Sequence, residues 1–173
     1  MLTLVVGGAA SGKSAYAEEL IARSDAPRRV YLATMTPFGD EARRRIERHR
    51  TLRADKGFET LECYVNIAEA AIPRDSAVLL EDLGNLCANE LFSQQGAKGG
   101  AADAILRGVA HLRGQCRDMV IVSNEVFTGG ADYAGDTVRY LSLLAYVNRK
   151  LAATADAVCE VNCGIATYYT IIE

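Results

Sequence analysis

Paired metal ligands are the first thing this sequence lacks. Its five cysteines (Cys63, Cys87, Cys116, Cys159 and Cys163) form no Cys-x-x-Cys pair, and only two histidines, His49 and His111, accompany them. A structural zinc site is therefore not expected, and the thiols read as small buried hydrophobes of a reducing compartment. No apolar run is long enough to span a bilayer, and the chain enters a strand-like run without a charged leader, so a cytoplasmic protein with no membrane span is expected. A basic surplus is missing as well. The formal net charge is −3, which speaks against general nucleic-acid binding. There is no internal repeat and no low-complexity stretch. With 173 residues, half of them hydrophobic, residues 1–173 can bury the core of a single domain.

What is present is concentrated near the start. The apolar run Leu2 to Val6 leads into Gly7-Gly8-Ala9-Ala10-Ser11-Gly12-Lys13-Ser14, and a helix-like stretch from Ala15 follows. This is the Gly-x4-Gly-Lys-Ser/Thr spacing of a Walker A phosphate loop. Small residues there let successive backbone N–H groups curl around phosphate oxygens, with Gly7, Gly8 and Gly12 expected to supply positive φ. Lys13 is placed to neutralise β/γ-phosphate charge, and the Ser14 hydroxyl to ligate Mg²⁺. The helix that follows aims the positive end of its dipole at the same phosphates.

The rest of the chain alternates strands and helices. Lys13 to about Arg23 predicts a helix, and Arg29 to Ala33 a second strand. That strand runs into Thr34-Met35-Thr36-Pro37, where Thr34 and Thr36 either line a site beyond its carboxyl end or belong to an ordinary surface loop. Gly39 to about Arg53 is polar and rich in arginine, and two readings of it stay open. One is a solvated helix with Asp40–Arg44 and Glu41–Arg45 pairs four residues apart. The other is a concentration of guanidinium groups facing polyanionic phosphate, with His49 among them for chemistry. Like charge around His49 disfavours its imidazolium and leaves a neutral nucleophile. A nucleic-acid reading lacks interleaved aromatics.

Phe58 to Tyr64 predicts a short strand carrying Glu59 and Glu62, and Asn66 to Ile72 a short helix. Ala77 to Leu80 predicts a buried strand ending in Glu81-Asp82, a pair that either coordinates Mg²⁺ beside the loop or caps the next helix. Helices are expected over Leu83–Phe92 and Ala101–Arg113, with His111 a surface or packing residue. Asp118 to Ser123 predicts a strand that ends in the polar pair Asn124-Glu125. A movable loop from Val126 to Gly135 is expected next, then a long helix from Asp136, its N-cap, to Thr154. Val158–Asn162 and Ala166–Ile172 predict a terminal hairpin. The expected fold class is α/β, a P-loop NTPase-like three-layer sandwich with a mainly parallel sheet and that hairpin at its end.

Several blocks stand out along the chain: Val6 to Ser14, Tyr31-x-Ala33-Thr34, Arg45-Ile46-x-x-His49-Arg50-x-x-Arg53, Glu59-Thr60-x-Glu62, Leu79-Leu80-Glu81, Ser123-Asn124-Glu125-Val126, Val147-Asn148-x-x-Leu151-Ala152, Asp156 and Gly164-Ile165. Over nearly the full length they resemble the bifunctional adenosylcobinamide kinase/adenosylcobinamide-phosphate guanylyltransferase family of cobalamin biosynthesis. The resemblance implies two reactions. In the first, ATP or GTP gives its γ-phosphoryl group to the aminopropanol hydroxyl of adenosylcobinamide. In the second, the residue matching His49 attacks the α-phosphorus of GTP, expels pyrophosphate and holds GMP as a phosphoramidate until adenosylcobinamide phosphate takes it.

By the same resemblance His49 and Lys13 are catalytic. Gly7, Gly8, Ala9, Ala10, Ser11, Gly12, Lys13, Ser14, Thr34, Met35, Thr36, Arg50, Thr51, Leu52, Arg53, Glu62 and Glu81 contact GTP, Mg²⁺ sits on Ser14 and Glu81, and the protein is a homotrimer. The chain departs from the family's pattern after Val126. Where the family usually has Gly-x-Gly-Ile-Val-Pro, and later an Arg-Asp pair with a glycine, it has Phe127-Thr128-Gly129-Gly130-Ala131-Asp132, then Leu141-Ser142 and Ala145. That divergence leaves room for a P-loop kinase or nucleotidyltransferase acting on another small molecule. A non-catalytic GTP-binding module is the reading from a different class.

Overall fold

Runs of consecutive apolar residues become strands covered on both faces. In the computed structural model, which describes residues 1–37, 39, 44, 47, 51, 56–127 and 133–169, the strands are β1 (Leu2–Gly7), β2 (Arg29–Ala33), β3 (Phe58–Glu62), β4 (Ala77–Glu81), β5 (Asp118–Asn124), β6 (Ala157–Asn162) and β7 (Ile165–Tyr169). They form one sheet in the order β3-β2-β4-β5-β1-β6-β7. Every pairing is parallel except β6 with β7. Helices α1 (Lys13–Ala22), α2 (Leu83–Phe92), α3 (Ala101–Arg113) and α4 (Asp136–Ala152) cover the two faces.

The period of two along each strand divides the core. Leu4, Leu32, Leu80 and Ile121 face Leu86 of α2, Ile105 and Leu112 of α3 and Leu144 and Val147 of α4. Val5, Tyr31, Leu79 and Val122 face Ala17 and Ile21 of α1. On this second face the Tyr31 and Phe58 rings meet edge-on with centroids 6.4 Å apart. Each fully buried Leu or Ile contributes about 1.5–3 kcal/mol relative to exposure, so the larger cluster fixes α2, α3 and α4 against the sheet. No helix among the described residues is long and apolar enough to cross a membrane.

Local expectations needed correction at several points. Asn66–Ile72 is not a helix beyond the 3₁₀ turn Ile67–Glu69. The buried Glu90 is the reason: its two oxygens accept the N–H groups of Asn66 at 2.7 Å and Ala97 at 2.8 Å, which holds the chain in a turn. Asp136 is the first residue of α4 and not its cap. Gly135, at φ 60°, occupies the cap position, and the Asp136 carboxylate accepts from Arg139 Nη1 at 3.0 Å. The helix stops at Ala152, where the Thr154 hydroxyl bonds back to the Leu151 carbonyl. Of the thiols, Cys87 and Cys159 are buried, but Cys163 is exposed in the β6–β7 turn. Thr128 to Asp132, and the Thr170–Ile172 part of the expected last strand, lie outside the described residues.

Candidate active site

Parallel pairing brings the carboxyl ends of the central strands to one rim. Gly7 stands opposite Asn124, and Ala33 opposite both Glu81 and Glu62. The phosphate loop leaves β1 at this rim and enters α1 at Lys13. Its φ angles are positive at Gly12 (93°) and at Ala10 (56°), and not at Gly7 or Gly8, which corrects the sequence expectation. Gly7 is small for another reason: a Cβ there would lie 2.5 Å from Ser11 Oγ and 2.6 Å from the Val161 carbonyl oxygen. Gly8, in contrast, has nothing within 4 Å of that position and lies open at the cup.

The loop is braced from within and from behind. Lys13 Nζ donates to the Gly8 carbonyl at 3.0 Å, which keeps the ammonium at the mouth of the loop. The Gly164 N–H donates to the Ser11 carbonyl at 2.8 Å, and the Glu125 N–H to that of Gly7 at 2.9 Å. The hydroxyls of Tyr16 and Tyr168 meet at 2.7 Å and tie α1 to the hairpin. Ser11 Oγ is buried with no hydrogen-bond partner among the described residues and stands against Gly7, so this residue offers the cup its backbone. Ser14 is built differently. Its hydroxyl donates to Glu81 Oε1 at 2.5 Å and so joins the first turn of α1 to the end of β4.

Of the two strand-end carboxylates, Asp82 takes the capping role. Glu81 meets the loop serine, while Asp82 caps α2 by accepting the Asn85 N–H at 2.6 Å. The peptide between them is cis.

Thr34 is buried, and its polar atoms are engaged by the chain itself. Its hydroxyl donates to the Asp82 carbonyl at 2.8 Å, its N–H to the Glu81 carbonyl at 3.1 Å, and its carbonyl accepts Asn89 Nδ2 at 2.8 Å. Thr36 is half-buried beside it and donates to Asn89 Oδ1 at 3.3 Å, with Met35 half-buried between them. Glu62 is exposed and accepts the Tyr64 hydroxyl at 2.8 Å. It ends β3 at the sheet edge, four strand positions from β1, or about 19 Å at the usual interstrand spacing. The phosphate loop is thus joined to Glu81, Thr34 is bonded to the same Glu81–Asp82 end of β4, and Glu62 stands apart at the sheet edge. Thr51 is helical and exposed, its hydroxyl bonded to the Glu47 carbonyl at 3.1 Å. His49, Arg50, Leu52 and Arg53 lie outside the described residues.

A third polar group was only partly visible in the sequence, which pointed to Asp82 and Asn124 but not to Tyr140. Asp82, Asn124 and Tyr140 converge over Gly84 in the first turn of α2. Tyr140 comes from α4, where its spacing reads as ordinary packing, so no local pattern announces it. Burial first, and then the Asp82 carboxylate, push its hydroxyl pKa up to about 12.

The sequence pattern of one family matches residues 3–168, and that family is described as cobinamide kinase / cobinamide phosphate guanyltransferase. The chain belongs to this family. Membership in the cobinamide kinase/guanyltransferase family makes it a transferase of cobalamin biosynthesis. It is 34% identical over 183 residues to the "Bifunctional adenosylcobalamin biosynthesis protein CobU" of Salmonella typhimurium, covering 95% of this chain and 97% of that protein. It is 34% identical over 179 residues to the protein of the same name from Escherichia coli, with the same two coverages. Among solved structures it is similar to the flagellar accessory protein FlaH of Methanocaldococcus jannaschii, with TM-score 0.46, 11% identity and coverage of 98% of this chain and 77% of that one. It is also similar to the KaiC-like protein PH0186 of Pyrococcus horikoshii, with TM-score 0.48, 9% identity and coverages of 92% and 71%.

Proposed function

We propose that this member of the family phosphorylates adenosylcobinamide with ATP or GTP. It then moves GMP from GTP to adenosylcobinamide phosphate through a guanylyl group on His49, giving adenosylcobinamide-GDP. The observation that carries the reading is a complete phosphate loop joined to a strand-end carboxylate through Ser14 and Glu81, in a chain matched to the family over residues 3–168. The loop's backbone N–H groups and the α1 dipole hold the phosphates, and Lys13 offsets the charge that develops as a phosphoryl group leaves. Ser14 Oγ and Glu81 Oε1 are hard oxygen donors 2.5 Å apart, the ligand type Mg²⁺ takes. When bound there, Mg²⁺ supplies neutralisation of phosphate charge.

His49 serves as nucleophile for the second reaction, splitting one displacement at phosphorus into two. Arg50 and Arg53 stand near it in sequence to meet the phosphates. We place the enzyme in the cytoplasm as a homo-oligomer, a trimer by resemblance. The outer strand β7 supports self-association, because among the described residues it is the last strand of the sheet and carries the exposed Ile165, Tyr168 and Tyr169.

The deciding experiment incubates the protein with Mg²⁺ and GTP radiolabelled at the α-phosphate, followed by denaturing separation. An acid-labile, base-stable label on the wild type that is missing from His49→Asn is the expected result. A wild type that binds GTP and takes no label would sink the guanylyl-histidine step and leave a plain P-loop kinase or a binding module.

A further inference from the structure

In a phosphate loop the amides that meet the ligand point inward, so the carbonyls of the same peptide units point outward and need donors behind them. A trans peptide is planar, with its C=O and N–H on opposite sides, so whatever holds the carbonyl also aims the amide. Two trans peptides of this loop are held in that way. The Glu125 N–H takes the Gly7 carbonyl at 2.9 Å, which turns the Gly8 N–H to the other side. The Gly164 N–H takes the Ser11 carbonyl at 2.8 Å, which does the same for the Gly12 N–H. The first donor directly follows β5, the neighbour of β1 in the sheet. The second comes from the short turn between β6 and β7.

That turn is fitted to the loop. Asn162 and Ile165 close the hairpin, and the residues between them, Cys163 and Gly164, have φ of 51° and 78°, the pattern of a type I′ turn. Cysteine in the left-handed region is strained, and such strain persists where the surroundings fix the backbone. The surroundings here are the phosphate loop. A Cβ on Gly12 would stand 3.2 Å from Gly164 Cα and 3.5 Å from its nitrogen, and one on Gly7 would stand 2.6 Å from the Val161 carbonyl oxygen at the end of β6. Gly12 is itself left-handed, at φ 93°, and directly precedes Lys13. A second tie, the pair of Tyr16 and Tyr168 hydroxyls at 2.7 Å, joins the first turn of α1 to β7.

We infer that Gly164 is a positioning residue for nucleotide binding: its amide, acting through the Ser11 carbonyl, aims the Gly12 N–H at the phosphates. The inference rests on the phosphate-loop reading above, and it makes the β6–β7 hairpin a working part of the phosphate site from behind. Glycine is required at 164 by its φ and not by space, since among the described residues nothing lies within 4 Å of a Cβ there. A methyl at this position meets no clash. Its cost is the left-handed backbone, relieved by turning the amide away from Ser11.

The test measures the dissociation constants of GTP and ATP by calorimetry, with thermal stability in parallel, on the whole chain and its variants. Gly164→Ala is expected to weaken both nucleotides about 5- to 30-fold, the factor that corresponds to the left-handed penalty of an L-residue. It weakens them alike, because an N–H aimed at phosphate does not read the base. Gly164→Asn, which adopts the left-handed conformation readily, is expected to bind within about threefold of wild type. Gly57→Ala is the control. Gly57 has φ 75°, meets only Arg29 Nη1 at 3.9 Å among the described residues, and precedes β3 at the opposite end of the sheet. Its substitution is expected to lose comparable stability with both affinities unchanged. Tyr168→Phe leaves the turn's backbone alone and is expected to weaken both nucleotides about twofold through one lost hydrogen bond, with no further loss on adding Tyr16→Phe. The inference is overturned if Gly164→Ala binds both nucleotides like wild type, or if Gly164→Asn binds them as weakly as Gly164→Ala does. It is equally overturned if Gly57→Ala loses as much affinity, because the loss would then follow stability and not the contact with the loop. Should Gly164→Ala fail to fold, Tyr168→Phe decides, and unchanged affinities in that variant overturn the inference. A wild type that binds neither nucleotide refutes the phosphate-loop reading itself and removes the inference with it.

Discussion

The carboxyl rim of the sheet carries two regions that share one expected task, contact with GTP, and are built differently. At β1 and β4, the Ser14 hydroxyl bonds to Glu81, and Lys13 bonds to the carbonyl of the open Gly8. At β2 and β3, Thr34 spends its hydroxyl, amide and carbonyl on Asp82, Glu81 and Asn89, while Glu62 stands exposed at the edge. A phosphate needs donors converging within a few ångströms, and Lys13 and the Ser14 hydroxyl are the side-chain donors of the first region. The second is a clamp that holds the β2 and β4 ends together, with an outlying carboxylate beyond it. Hydroxyl residues after a strand are thus ambiguous until their partners are known.

The sharpest test of that contrast is Lys13→Ala against Glu62→Gln. Removing the lysine is expected to lower kcat/KM for phosphoryl transfer about 100- to 1000-fold, as loss of a preorganised electrostatic group does. Glu62→Gln is expected to have a far smaller effect on the same assay, and equal losses would dissolve the division into two regions.

Within the loop, Gly7→Ala and Gly8→Ala separate packing from binding. The first drives a methyl against Ser11 and the Val161 backbone and is expected to cost about 1–3 kcal/mol of stability, read by denaturant unfolding. The second meets open space and is expected to leave stability unchanged while weakening nucleotide affinity, read by calorimetry. The smallest expected effect belongs to Thr34→Val, which removes the bond to the Asp82 carbonyl. About 1 kcal/mol of stability should go with GTP affinity intact, and a large loss of affinity instead would make Thr34 a ligand.

Much of the arrangement was legible because it rests on short-range rules. Apolar runs bounded by Gly and polar residues gave six of the strands nearly to the residue, and parallel order then places Glu81 at the rim with the phosphate loop. Glu81 and Asp82 were both visible as candidates. Which of them meets Ser14 and which caps α2 depends on the local turn. Positive φ at Ala10 was not legible, because residue type favours glycine there and the loop's closure overrides it. Nor was Asn66, whose N–H is captured by a buried Glu90 from another helix. Tyr140 stayed hidden for the same reason: its partners come from residues more than fifty positions away on α2 and from the end of β5, and helical periodicity says nothing about them.

The bond from the Gly164 amide to the Ser11 carbonyl has a consequence for isotope exchange. That amide belongs to a surface turn, where protection is ordinarily slight, yet its opening requires the phosphate loop to release it. A ligand that binds only the closed loop raises the free energy of opening by its own binding term. Deuterium uptake at Gly164 therefore slows as nucleotide is added, and the turn reports a phosphate it never touches.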